Sequence, residues 1–255
     1  MKNRPAQALS AIVALLVWTA CDQVSGLDVP GVGYEVMSTG RQLYLSWDSV
    51  PGAERYRILL DDSAFTDTST SLVVEGPVAS IAVTALSQDT ESPAWTLSTS
   101  ATTTDEVEVW GTSATDRPNA FGFSSAGVCW TYSLADTLQW SSVDFVLDDE
   151  MDSVVVLFRS PDGLSPPLNS RDNRIAEAGP VEFDAVVSAP DTLYDEPHRC
   201  EPGRLYFLWV DPSGDGWDDD EDLFAKALVE SVEGGRVVLK VACQSIPGLL
   251  WLKTD

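Results

Sequence analysis

The sequence is poor in the residues that most catalytic and nucleic-acid-binding sites require. It has one histidine, His198, so a Ser-His-Asp triad would have to use that residue. It contains neither a G-x-S-x-G nucleophile turn nor a phosphate-binding glycine loop. The formal charge is -25, so the surface repels nucleic acid and anionic lipid headgroups and attracts cations. We therefore expect a protein that is not an enzyme and does not bind nucleic acid.

Cysteine is also scarce, and no C-x-x-C spacing is present. After Cys21 three cysteines remain, so at most one pair can form within the chain. Cys200 precedes one predicted strand and Cys243 ends another, which predicts a Cys200–Cys243 disulfide and a buried, reduced Cys129. A bridge that uses Cys129 is the main alternative.

The chain has few long hydrophobic runs, and the clearest one is at its beginning. Ala8 to Ala20 is thirteen residues long, which is too short to cross a bilayer, and Lys2 and Arg4 precede it. This pattern is typical of an export signal. The stretch "WTAC" resembles a bacterial lipoprotein cleavage box, although Trp18 stands where Leu is usual.

The lipoprotein resemblance implies a signal peptide over residues 1–20 and a short tether over 21–27. It also implies that Cys21 is lipidated and becomes the mature N-terminus. The protein would then be held at the cell envelope, on the inner or the outer membrane, and would touch lipid only through the anchor. The alternative is a plain secretory signal, with Cys21 inside the mature chain.

Residues 28–104 have the period-two pattern of half-buried strands. Leu43, Leu45 and Trp47 share one face, and a Pro-Gly turn separates them from the strand "RYRILL". These segments resemble strands B and C of a fibronectin type III domain, and "SIAVTALSQDTESPAWTLSTSATT" resembles strands F and G. The family's tyrosine near the start of F is missing from "PVASIAV". The resemblance implies a β-sandwich.

Residues 105–255 are predicted to form a second, larger β-sandwich or jelly-roll-like domain. The predicted strands include "VCWTYSL", "VDFVL", "SVVVLF", "VEFDAVV" and "RLYFLWV". Gly234-Gly235 predicts a hairpin between the last two strands. The predicted fold class is therefore all-β, with two tandem sandwiches after the signal helix.

The loop "DPSGDGWDDDED" contains seven carboxylates in twelve residues. Its spacing matches a twelve-residue calcium loop. The predicted ligands are Asp211, Ser213, Asp215, the Trp217 carbonyl, Asp219 and Asp222. An acidic, solvated hairpin turn is the alternative. A second acidic turn, "LDDEMD", has no glycine and is predicted to be a solvated hairpin.

The predicted function is display or protein–protein interaction at the cell envelope, by a non-catalytic protein whose partner is an unknown envelope or extracellular protein. Carbohydrate binding is the alternative, because flat indole rings stack on sugars. Four of the nine tryptophans, Trp47, Trp110, Trp130 and Trp209, lie on predicted strands, where the core is the default. The stacking candidates are Trp217, in the acidic loop, and Trp95, which precedes a predicted strand. A hydrolase that uses two carboxylates is the third possibility.

Overall fold

The computed structural model describes residues 26–37, 39–149, 155–191, 194–195, 197–216 and 221–254. Within these ranges the chain is built from antiparallel strands, and the helical segments are two short 3-10 helices, Thr137–Ser142 and Phe183–Ala185. The all-β prediction is confirmed. No helix in the described ranges has the length and apolar character needed to cross a membrane. The predicted signal peptide and Cys21 lie outside the described residues.

The first sandwich, hereafter the proximal sandwich, consists of two sheets and seven strands. These are β1 (Val32–Val36), β2 (Gln42–Trp47), β3 (Arg55–Leu60), β4 (Ser63–Asp67), β5 (Ser71–Glu75), β6 (Ser80–Leu86) and β7 (Trp95–Ser98). One sheet has the order β1-β2-β5 and the other has the order β4-β3-β6-β7.

The period-two pattern of β2 sets the core of the proximal sandwich. Leu43, Leu45 and Trp47 are buried, whereas the residues between them face solvent, as predicted. The Trp47 ring meets the edge of the Tyr56 ring with centroids 5.4 Å apart. The Tyr56 hydroxyl accepts a hydrogen bond from the Val50 amide at 2.9 Å, so the turn between β2 and β3 is tied to the core.

The second sandwich, hereafter the distal sandwich, consists of two five-stranded sheets. Its strands are β8 (Thr102–Trp110), β9 (Ala120–Phe123), β10 (Cys129–Tyr132), β11 (Phe145–Asp148), β12 (Leu157–Arg159), β13 (Arg174–Gly179), β14 (His198–Arg199), β15 (Leu205–Val210), β16 (Leu223–Glu233) and β17 (Arg236–Cys243). The sheet orders are β10-β9-β11-β12-β14 and β13-β15-β16-β17-β8. The predicted boundary after residue 104 falls inside β8, which pairs with β17 of the distal sandwich.

The β16–β17 hairpin confirms the prediction made from its two glycines. Glu233 pairs with Arg236, and Gly234 and Gly235 form the turn with φ values of 57° and 82°. Both values lie in the left-handed region, where glycine is unstrained. The segment "VEFDAVV" is not a strand, and that prediction was wrong. It contains a 3-10 turn, and its Phe183 packs on the outer face of the β15–β16–β17 sheet.

The predicted Cys200–Cys243 disulfide is absent from the structure, in which Cys129, Cys200 and Cys243 are free and buried. Cys200 follows β14 at the edge of one sheet, whereas Cys243 ends β17 in the other sheet. All three thiols belong to the apolar core between the sheets. Burial raises the pKa of Cys200 and Cys243 well above the usual value, which keeps both thiols protonated and unreactive.

Residues 244–252, hereafter the return segment, run from the end of β17 back into the proximal sandwich. Ile246, Leu249 and Trp251 join the same core cluster as Leu43 and Trp47.

Hydrogen bonds to two backbone carbonyls and one ion pair fix this return. The Trp251 indole N–H donates to the Arg41 carbonyl at 3.0 Å, and the Leu250 amide donates to the Gly40 carbonyl at 2.8 Å. A side chain at Gly40 would meet the Gly248 carbonyl at 2.6 Å, so this close approach requires glycine. Lys253 forms an ion pair of 2.6 Å with Asp61 of the proximal sandwich.

We predict that Trp251→Ala destabilises the proximal sandwich by about 3–5 kcal/mol, because the change leaves a cavity in its core. Denaturant unfolding would measure the loss, and hydrogen exchange at the β2 amides would show which sandwich opens. Leu138→Ala is the control, since that side chain is 90% exposed. A loss below about 1 kcal/mol, with β2 protection unchanged, would contradict the role given to the return segment.

Candidate functional site

An open cleft of about 400 Å³ lies between β8 and β10, which are edge strands of the two opposing sheets of the distal sandwich. We call it the edge cleft. Two tryptophans, three acids and one arginine dominate its lining. These are Trp110, Trp130, Asp105, Glu106, Glu108 and Arg117.

The two tryptophans of the edge cleft differ in exposure. Trp130, on β10, is 59% exposed and is the most exposed aromatic residue among the described ones. Trp110 ends β8 and is half-buried. Alternation explains both positions, because Cys129 and Val109 point into the core and their neighbours therefore point outward. The default prediction that both rings lie in the core was wrong, because Trp130 is exposed and Trp110 lines the open cleft.

A chain of polar contacts fixes the Trp110 ring. Its indole N–H donates to Glu108 at 3.2 Å, and Glu108 is held in turn by the Arg236 guanidinium at 2.8 Å. This hydrogen bond from Arg236 holds the pKa of Glu108 below its usual value. The Arg117 guanidinium lies 5.4 Å from the centre of the Trp110 ring, within cation–π range. Trp110 is therefore oriented before any ligand binds.

A β-bulge shapes the opposite end of the edge cleft. Leu239 of β17 pairs with Val107 and Val241 pairs with Thr104, so Asp105 and Glu106 together face one residue, Lys240. Glu106 has a φ of 55°, in the left-handed region that non-glycine residues seldom adopt. The bulge interrupts the regular ladder of the edge strand and places two exposed carboxylates beside the cleft.

Two buried polar side chains support the loop that carries Arg117 and Pro118 into the edge cleft. The Asn119 amide donates to the carbonyls of Gly111 at 3.0 Å and Ala114 at 2.7 Å. The Asp149 carboxylate accepts hydrogen bonds from the Ser113 amide at 2.8 Å and the Ser113 hydroxyl at 2.6 Å. Asn119 and Asp149 are 2% and 5% exposed, so both groups depend on these partners.

The prediction that "LDDEMD" is a solvated hairpin was wrong for its described part. Asp148 is buried and forms an ion pair with Arg159 at 2.8 Å, and Asp149 supports the loop after β8. Ser113, the partner of Asp149, lies 36 residues earlier in the sequence, so local turn chemistry did not reveal this contact. Glu150 and Asp152 lie outside the described residues.

We predict that Asp149→Ala destabilises the protein by about 2–3 kcal/mol, because it leaves the Ser113 amide and hydroxyl without their charged acceptor. Thermal or denaturant unfolding would measure the loss. The matched control is Asp89→Ala, which removes a carboxylate at an exposed turn. If both variants unfold alike, Asp149 does not hold the loop.

In the acidic loop, Asp211, Ser213 and Asp215 lie together. The Asp211 carboxylate accepts hydrogen bonds from the Gly214 amide at 2.7 Å, the Gly216 amide at 3.0 Å and the Ser213 hydroxyl at 3.0 Å. Ser213 also donates to Asp215. The loop's own N–H groups thus offset part of the charge of Asp211, which is fully buried.

Asp222 closes this loop at the base of β16 and is fully buried. Asp211 and Asp222 directly flank the Val210–Leu223 pair, so the two carboxyl groups lie at the same end of the ladder. Trp217 and Asp219 lie outside the described residues. Within the described ranges, no group of three or more His, Cys, Asp or Glu side chains is arranged to hold a metal ion. Calcium binding by this loop remains a prediction.

The other candidate residues do not line the edge cleft. Trp47 and Trp209 are buried, and Trp95 is half-buried against the proximal core. His198 lies on β14, where its ring contacts the Asp195 carboxylate at 2.5 Å.

Comparison with solved structures gives weak likenesses, which include the two that follow. No protein-family model and no curated protein matches the chain. A solved structure described as "FN3tt mut" is 20% identical over 28% of this chain and 90% of its own, with a TM-score of 0.24. A DUF4466 family protein from Parabacteroides merdae is 8% identical over 86% of this chain and 99% of its own, with a TM-score of 0.42. Neither likeness carries a conclusion about function.

Proposed function

We propose that this chain is an exported, lipid-anchored, non-catalytic binding protein of the cell envelope. The observation that carries the proposal is the edge cleft, which presents an exposed Trp130 and a fixed Trp110 on the distal sandwich. Exposed aromatic rings beside polar groups are typical of surfaces that recognise ligands. The partner is an envelope or extracellular molecule, either a protein or a carbohydrate.

The proximal sandwich would act as a spacer between membrane and cleft. We propose that it is a fibronectin type III-like module, supported by the two sheets of three and four strands and by the sequence pattern of β2, β3, β6 and β7. In this arrangement the lipid on Cys21 and the tether over residues 21–27 precede the module. The return segment would stiffen the junction between the two sandwiches, because it packs into the proximal core.

The lipid anchor can be tested directly. We predict that Cys21→Ala releases the protein from membranes and abolishes labelling by a fatty-acid analogue, because the residue that carries the lipid is lost. Fractionation of cell envelopes would measure the release. Cys129→Ala is the control, because Cys129 is a buried thiol of the distal core. Membrane association that survives Cys21→Ala would refute lipid anchoring at this residue.

The acidic loop would serve as a calcium-stabilised support of the distal sandwich. Its proposed ligands are Asp211, Ser213, Asp215, Asp222 and, beyond the described residues, Trp217 and Asp219. This proposal is supported by two buried carboxylates at the loop's base and by the twelve-residue spacing. A bound cation would offset the repulsion that the loop's N–H groups relieve only in part.

We predict that millimolar calcium raises the melting temperature of the distal sandwich and that Asp215→Ala abolishes this response. At ten times the dissociation constant the stabilisation would be about 1.4 kcal/mol. Calorimetry with calcium and with chelator would measure it. Sodium at matched ionic strength is the control, because screening alone also stabilises an acidic surface. Equal stabilisation by sodium would identify the loop as a solvated turn.

A further inference from the structure

We propose that the edge cleft binds a neutral saccharide, with one sugar ring stacked on Trp130 and its hydroxyl groups bonded to Glu106 and Arg117. This inference rests on the proposed function, because it names the ligand class of the same cleft. Three properties of the cleft support it: its aromatic face, its charge balance and the protection of its edge strand.

The aromatic face is Trp130. A sugar ring has an apolar face of C–H groups, and a flat indole that is 59% exposed offers a complementary surface. The cation at Arg117 lies over the neighbouring Trp110 ring, so Trp110 serves as a wall and Trp130 provides the open stacking surface. The cleft volume of about 400 Å³ is within the usual range of small-molecule sites, which is enough for one or two sugar rings.

The charges around the cleft nearly balance, although the whole chain has a formal charge of -25. Glu108 is bonded to Arg236 at 2.8 Å, and Asp105 lies 3.6 Å from Lys240. Arg117 lies 3.9 Å from Asp116, and Glu106 then leaves about one net negative charge beside the cleft. A carboxylate accepts hydrogen bonds and a guanidinium donates them, so together they suit hydroxyl groups, which do both. With its cations already paired and a slight excess of negative charge, the cleft favours a neutral ligand over an anionic one.

An extended peptide is the other ligand that an open edge strand could recruit, by adding a strand to the sheet. The Asp105–Glu106 bulge and the acidic side chains of β8 oppose such pairing, because bulges and charges are the usual protection of sheet edges. At its start β8 is also linked to the opposite sheet, since the Cys129 amide donates to Thr104 and Thr102 donates to the Ala126 carbonyl. Recognition through side chains is therefore favoured.

The experiment uses the full chain in detergent and a printed panel of neutral oligosaccharides, uronic-acid oligosaccharides and peptides. We expect retention on neutral oligosaccharides and a change in tryptophan fluorescence when the retained oligosaccharide is titrated. Trp130→Ala should weaken binding at least about tenfold, whereas Trp130→Phe, which keeps a flat ring, should stay within about threefold. The matched control is Tyr34→Ala, which removes an aromatic ring that is 47% exposed on the proximal sandwich.

Several results would overturn the inference. These are retention of no saccharide, preference for uronic-acid oligosaccharides, equal binding by Trp130→Ala, or Trp130-dependent capture of peptides instead of sugars. The melting curve of each variant shows whether it is folded, and Trp130→Phe provides the second test if the alanine variant is unstable. Peptide capture would leave the proposed binding function standing, and membrane fractionation of the same preparations tests the anchor independently of the ligand.

Discussion

The two sandwiches depend on one interaction, the packing of the return segment into the proximal core. Gln244 fixes the start of this segment because its buried amide is fully used. Its N–H groups bind the carbonyls of Thr99 and Trp251 at 3.0 and 2.8 Å, and its oxygen accepts from the amides of Ser245 and Ile246. A buried amide that satisfies four hydrogen bonds has one stable geometry. The junction between the sandwiches is therefore part of a shared core.

The same strand that leads into the junction also supports the edge cleft. β17 begins at Arg236, which holds Glu108 and through it the Trp110 ring, and ends at Cys243 beside Gln244. Because β17 is paired on both sides, with β16 and β8, it behaves as a stiff element between the cleft and the proximal sandwich. The direction in which the cleft faces is thus set by the proximal sandwich.

Local patterns in the sequence predict the regular elements well and the cleft poorly. Period-two alternation identifies β2 and its core face, and Gly234-Gly235 identifies the last hairpin. The apolar residues of the return segment do not alternate as in a strand. They pack into the core of the proximal sandwich, which the local sequence does not indicate. Asp149 is buried against the loop that contains Ser113, which lies more than thirty residues earlier in the sequence. Exposure of Trp130 depends on β10 being an edge strand, and strand order is a property of the whole sheet.

The order of synthesis gives the return segment a further consequence. Ile246, Leu249 and Trp251 leave the ribosome after every strand of both sandwiches, yet they complete the core of the sandwich that is made first. The proximal sandwich therefore cannot finish folding while the distal strands are still being synthesised. Contacts between residues about two hundred positions apart, such as Arg41 with Trp251, also form slowly because a long loop must close first. The core of the proximal sandwich is therefore completed only late in synthesis, after the distal strands have been made.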